Sequence, residues 1–226
     1  MSGVTESSCK VCGGATRGQR SLRSGLCSRC RTERTRSASR VQASAAIAGL
    51  LEREDVLILD TETTGAGKGA EVIEVSVINT AGDVLLDTLV NPRVPKMNPF
   101  AQRVHGISLA ELQNAPTWPE VLPELSRLAD RCTVLAWNAP FDRGMLEQTS
   151  GAWGLPHPRW LFVCAMRLYA KSRGIKIRGL HKCVVDEQLE PLLKAHQSHR
   201  ALGDIIFVLE VLRSRVKETP EALARS

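Results

Sequence analysis

The sequence predicts a mixed α/β domain with helices on both faces of its sheet, preceded by a small cysteine-rich head. Three observations carry that expectation. Three strand-length apolar runs are joined by short turns, helix-like and strand-like stretches alternate after them, and four cysteines crowd ahead of both. The 226 residues, 43% of them hydrophobic, suffice for one well-buried domain plus a small appendage. The expected divisions are a head over 1–31, a helical connector over 32–54, a main domain over 55–213 and a tail over 214–226.

In the head, CKVC and GLCSRC place Cys9, Cys12, Cys27 and Cys30 as two C-x-x-C pairs fourteen residues apart. Four thiolates at this spacing can close tetrahedrally on one Zn²⁺ and leave no position for water, so the expected site is structural. The competing reading is redox chemistry at either pair. Gly13, Gly14 and Gly25 suit tight turns, and Cys27 to Cys30 falls where the connector helix opens, where the helix dipole favours thiolate. The connector holds no Pro and is rich in Arg, Ala, Leu and Glu, which favours helix. Ala45, Ile47, Ala48, Leu50 and Leu51 offer an apolar stripe with which it can pack on the main domain.

The main domain opens with VLILD, a strand-length apolar run, followed by the turn-rich TTGAGKG. AEVIEVSVINT then alternates Ile73, Val75 and Val77 against Glu74 and Ser76, and the turn AGD leads to VLLDTLV. Three strands joined by short turns predict an antiparallel meander. A Pro-rich crossing segment, a helix over Trp118 to Asp130, the strand TVLAW and a helix after Pro140 follow. The last strong helix is expected over Arg200 to Arg213, with a short, weakly anchored helical tail beyond it.

Charge is uneven along the chain. Residues 1–40 hold nine Lys or Arg against Glu6 and Glu33, a net +7, and the rest holds 21 basic against 22 acidic side chains, a net −1. Such an arm suits a polyanionic partner, or else only solubility. Its arginines can track phosphates or face a protein; nucleic-acid anchoring is the favoured expectation. No run approaches the roughly 20 apolar residues a membrane helix needs, and MSGVTESSCK has no secretory pattern, so no membrane association and a cytoplasmic location are expected. Seven cysteines without an export signal argue against a disulfide framework, and Cys132, Cys164 and Cys183 read as reduced core residues.

Asp60 and Glu62 end the first strand, and residues two apart on a strand share a side. Paired acids repel unless a cation bridges them, and oxygen ligands suit Mg²⁺ or Mn²⁺; solvated strand-end acids are the alternative. In WNAPFD, Asp142 stands where a helix begins, as a cap or a ligand. In SHRALGDII, His199 can take a proton from water and Asp204, one turn on, can complete a metal site. Trp137 is either core or a stacking platform.

LDTETTG, NAPFD and HRALGD stand in that order, and on them the sequence resembles the DEDDh (DnaQ-like) 3′–5′ exonuclease family, of the proofreading epsilon subunit and ribonuclease T type. RVHGISLAELQNAPTWPEVLPEL is similar to the family's connecting segment around His105 and Gly106. The resemblance runs from Val56 to Leu212 and leaves the head unexplained. It implies a ribonuclease-H-like exonuclease fold with two Mg²⁺ or Mn²⁺ ions held by Asp60, Glu62, Asp142 and Asp204, Asp60 being shared. It implies His199 as general base, Thr63 and Thr64 against the terminal nucleotide, and His105 and Asn138 shaping the site. One departure is visible, Trp137-Asn138 where the family commonly has His-Asn; with Asp142 retained, altered packing without loss of chemistry is expected.

The function so implied is release of nucleoside 5′-monophosphates from DNA 3′ ends, single-stranded or frayed. Its rivals are the same chemistry on RNA, as in oligoribonuclease relatives, and a non-catalytic nucleic-acid-binding zinc-finger adaptor. The five site residues all being present weighs against the adaptor. A polymerase or repair partner is a further expectation; QLEPLL at Gln188 faintly resembles a sliding-clamp peptide but lies inside the main domain.

Overall fold

The computed structural model describes residues 7–16, 25–157 and 159–217. The head is a two-stranded hairpin, β1 (Ser7–Ser8) and β2 (Ala15–Thr16), followed by helix α1 (Ser28–Leu51). The main domain runs β3 (Val56–Thr63), β4 (Val72–Asn79), β5 (Val84–Leu89), α2 (Pro99–His105), α3 (Leu109–Leu112), α4 (Trp118–Ala129) and β6 (Thr133–Ala136). It continues with α5 (Ala139–Ala152), β7 (Leu161–Cys164), α6 (Ala165–Arg173), α7 (Leu180–Asp186), α8 (Glu190–Ala195) and α9 (Ala201–Lys217).

The sheet order is β5-β4-β3-β6-β7, antiparallel from β5 to β3 and parallel from β3 to β7, so the expected meander and mixed sheet are present. Alternation along β3 divides the core into two layers. Val56 and Ile58 pack with Ile47 of α1, Tyr169 of α6 and Phe207, Val208 and Val211 of α9. Leu57 and Leu59 pack on the opposite face with Trp118 and Leu125 of α4 and Met145 and Leu146 of α5. Each such fully buried side chain contributes about 1.5–3 kcal/mol, so the two layers hold β3 firmly between them. Trp137 is core, its ring 5.9 Å from that of Tyr169.

Several readings of the sequence need correction or completion. The buried face of α1 is Ala43, Ser44 and Ile47, with Leu50 and Leu51 packed beside them, while Ala45 is exposed; the stripe follows the three-to-four residue spacing of a helix and starts at Ala43. The β4 strand is buried on both faces, because Ser76 donates to Asp87 and Glu74 is paired, so its polar residues mark no solvent side. The last helix continues to Lys217, since Ser214 donates to Glu187 and Arg215 is buried beside it; the rest of the tail lies outside the described residues. Strand β7 and helices α2 and α3 stand where proline-rich stretches hid regular structure. Of the scattered cysteines only Cys183 is fully buried; Cys132 and Cys164 are half-buried, and all three are free thiols.

Asn98 caps α2, Ser108 and Glu111 form a reciprocal cap on α3, and Gly106 takes the left-handed conformation between them. Gly203 in the first turn of α9 lets the chain before the helix lie against it, because an added Cβ would meet the Gln197 carbonyl oxygen. Gly203→Ala is therefore expected to cost about 1–3 kcal/mol in urea unfolding and to displace the segment carrying His199. A variant as stable as the parent would contradict this packing.

Candidate active site

The parallel neighbour β6 pairs with β3 only as far as Ile58, so the last residues of β3 have β4 on one side and an opening on the other. Asp60 and Glu62 project from this open end on the face that α9 covers. Asp204, in the first turn of α9, meets them, and one oxygen of each of the three carboxylates lies within 4.8 Å of the others. Asp142 arrives from the opposite layer, in the first turn of α5, buried and accepting a 3.0 Å hydrogen bond from Thr61 Oγ1. The four acids thus straddle the end of the sheet, drawn from three elements and both helical layers.

Their electrostatics follow from crowding and burial. Burial first, and then the charges of Asp142, Asp204 and Glu62, push Asp60 well above the usual carboxylate range. Burial, then Asp204 and Glu74, lifts Glu62 to about 8. Asp142 is raised to about 7 by burial against the opposing hydrogen bond from Thr61, and Asp204 is raised by burial against the opposing pull of His181. Without a counterion, crowding and burial favour the protonated form at all four positions. A donor set of clustered, half-buried carboxylate oxygens fits a hard divalent cation, which would compensate their charge.

His199 sits one turn before Asp204 with φ 57°, and its backbone N–H donates to Asp204 Oδ1 at 3.1 Å. That bond ties the position of the imidazole to that of the acid. His105 is buried, its Nδ1 accepting from the Ile107 N–H at 3.0 Å, and it lines a cleft of about 330 Å³ with Glu62, Thr63, Phe100, Val104 and Phe141. The Thr63 hydroxyl donates to the Gly65 carbonyl, and Thr64 Oγ1 accepts from the Glu71 N–H, so both threonines spend their side chains on shaping the loop after β3. Asn138 is exposed at the start of α5, and its side chain makes no cap.

Sequence reasoning passed over several residues that build this place. Glu74 stands opposite Glu62 in the β3–β4 register, where a further unpaired acid would be costly. Arg200 neutralises it, Nε lying 2.9 and 3.1 Å from the two carboxylate oxygens, and the Ala201 N–H adds a 2.9 Å bond. This part-buried pair clamps the start of α9, and hence Asp204, to β4. Thr61 lay in plain view between the two acids, and Arg200 lay beside His199; the sequence carries no sign that Glu74 is their partner. His181 at the start of α7 was likewise unmarked, yet its Nε2 lies 3.7 Å from Asp204 Oδ1.

In the head, Sγ atoms of Cys9, Cys12, Cys27 and Cys30 all lie within 4.8 Å of one another. Gly13 and Gly25 adopt positive φ, and the Cys27 N–H points at Cys9 Sγ and the Cys30 N–H at Cys27 Sγ, as expected at the mouth of α1. Backbone N–H groups, that of Cys12 foremost, pull the Cys9 thiol down to about 6, while the neighbouring thiols, Cys27 first, push Cys30 up to about 12. Four sulfurs at such range cannot all ionise unless a cation joins them, so the set fits one Zn²⁺.

Comparison with known proteins agrees with the geometry. The family model RNase_T, described as "Exonuclease", matches residues 57–212. An uncharacterized exonuclease, CP81, of Escherichia phage 186 is 32% identical over 174 residues, covering 73% of this chain and 89% of its own. A putative bifunctional exonuclease/endonuclease of Mycobacterium tuberculosis is 30% identical over 179 residues, 74% of this chain but 27% of that longer protein. Among solved structures, the nuclease domain of 3′hExo, a DEDDh family member bound to rAMP, superposes with a TM-score of 0.60 at 16% identity, covering 72% of this chain and 92% of that one. S. pombe Pop2p in an Mg²⁺- and Mn²⁺-bound form gives 0.54 at 15% identity, covering 80% and 90%. Among the described residues no helix is long and apolar enough to cross a membrane. A sheet that ends in four converging acids, a family match over the whole of that sheet and a phage relative aligned along most of its length lead to one conclusion: this chain belongs to the exonuclease family with a DnaQ-like, ribonuclease-H-like fold, and it is an exonuclease.

Proposed function

We propose that the chain removes nucleoside 5′-monophosphates from the 3′ ends of DNA, using two Mg²⁺ or Mn²⁺ ions held by Asp60, Glu62, Asp142 and Asp204. The observation that carries this reading is the convergence of half-buried Asp60, Glu62 and Asp204 at the open end of β3, with buried Asp142 beside them. When bound, such ions supply charge neutralisation at the scissile phosphate and lower the pKa of water. Asp60, Glu62 and Asp204 orient their oxygens toward one point, and Asp142 closes the cluster from the α5 side. His199, held by its backbone bond to Asp204, accepts the proton of the attacking water. The terminal nucleoside enters the cleft between Phe100 and Phe141, whose rings offer stacking surface, with Thr63, Thr64, His105 and Asn138 around the sugar and phosphate. Phe100 is 68% exposed, as a ring waiting for a base would be. Polymerase III proteins among the relatives, such as the PolC-type protein of Caldanaerobacter subterraneus, 30% identical but with this chain spanning only 12% of it, support a DNA substrate.

The head is assigned a structural Zn²⁺ on its four cysteines and a role in anchoring nucleic acid. Arg29, Arg34 and Arg36 are exposed on α1 and available for phosphates. Because the C-terminal half of α1 packs onto the main domain, charge removal tests this better than truncation. Arg29→Gln, Arg34→Gln and Arg36→Gln together should weaken binding and lower its salt slope by about 1 for each phosphate no longer neutralised, sparing cleavage of short oligonucleotides. An unchanged slope would sink the anchoring role.

Incubating the protein with 5′-labelled DNA and RNA, with Mg²⁺ or without, tests the function. A ladder shortening from the 3′ end is expected, faster on DNA, and reduced on the order of a thousandfold or more in Asp60→Asn. Faster loss of RNA would move the substrate to RNA; retained binding without cleavage would leave an adaptor.

The raised carboxylates also predict a pH dependence. A group whose folded value is raised stabilises fully below its ordinary value, and that contribution is lost as pH rises through the folded one. Metal-free protein with its head zinc retained should therefore melt at falling temperature as pH climbs through about 7, for Asp142, and about 8, for Glu62. Mg²⁺ should restore the loss, and Glu62→Gln should flatten the profile. A melting temperature indifferent to Mg²⁺ and to this substitution would contradict the crowding account.

A further inference from the structure

His181, His199 and Asp204 make a second donor set that overlaps the acidic one. One ligand atom of each lies within 4.8 Å of the others. The two imidazoles meet edge to face, with ring centroids 4.3 Å apart. His181 Nε2 is buried without a hydrogen-bond partner and lies 3.7 Å from Asp204 Oδ1. Burying a ring nitrogen unsatisfied costs free energy that a ligand at this place would recover. The holders are rigid: Leu180, Cys183 and Val184 bury the inner face of α7, and Phe207 of α9 lies edge-on to His181 at 5.8 Å.

Two imidazole nitrogens and one carboxylate oxygen are the ligands of a borderline-soft ion and leave positions open for water. Mg²⁺ prefers oxygen alone. The two sets share Asp204, so an ion on the nitrogen-rich set competes for that carboxylate. It also occupies the His199 lone pair that would take the proton from water.

We propose that His181, His199 and Asp204 form an inhibitory transition-metal site, taking an ion such as Zn²⁺, whose occupation switches the nuclease off. The binding stands on this donor set alone; the effect on activity rests on the mechanism proposed above. The four thiols of the head hold zinc separately, so one metal serves as structure at one end and as inhibitor at the other.

Calorimetric titration of Zn²⁺ into protein whose head is already zinc-loaded, in excess Mg²⁺, tests the site. Uptake of a further ion is expected, weakened by at least about tenfold in His181→Gln. In the same buffer, the Zn²⁺ concentration that halves each protein's own Mg²⁺-driven rate should rise by the same factor in His181→Gln. Ring-nitrogen NMR of the wild type, which needs no variant to fold, should show the His181 and His199 signals moving further when Zn²⁺ is added to Mg²⁺-saturated protein. No further uptake, uptake equal in the variant, or unmoved ring signals would overturn the site. Uptake without inhibition of an active enzyme would overturn the switch, and a protein inactive in Mg²⁺ alone would refute the nuclease mechanism while the calorimetry and NMR still decide the site.

Discussion

Four carboxylates crowded at one end of a strand repel each other, and the rest of the fold is arranged to keep them there. Coulomb repulsion between unit charges a few ångströms apart is worth several kcal/mol at the effective dielectric of a protein. The sheet resists it by sandwiching β3 between two apolar layers, Val56 and Ile58 on one face and Leu57 and Leu59 on the other. Strand β6 stops short of the acids, so the strain falls at an open end that protons or cations can reach.

The neighbouring pairs serve the same constraint. Glu74 would be a further repelling charge opposite Glu62, and Arg200 both cancels it and fastens α9 to β4. Gly203 lets the preceding segment fold tightly over α9, and the His199 N–H bond to Asp204 aligns base and acid. On the other layer, Thr61 holds Asp142 while presenting no charge of its own. Positioning in this site therefore comes as much from neutral donors and a compensated ion pair as from the acids themselves.

Much of this was legible in the sequence, because strand alternation and strand-end motifs are local signals. VLILD followed by a threonine and an acid marked β3 and its face; the sharp turns marked the meander; the cysteine spacing marked the head. The residues that escaped are those whose meaning lies across the fold. Glu74 reads as one polar residue of an alternating strand until the fold sets Arg200, 126 positions away, beside it. His181 lies in an unremarkable helix start, and only packing of α7 on α9 brings it to Asp204. Strand β7 was too short, and too closely flanked by proline, to show a period.

The most direct test of the central claim is calorimetric titration of Mn²⁺ into metal-free protein, head zinc retained, at neutral pH in two buffers of different ionisation enthalpy. If the acids of the site hold protons until a cation takes their place, binding must release protons, and Glu62→Gln must release fewer. Binding with no proton release, or no binding at all, would contradict the claim that these four carboxylates form a cation site.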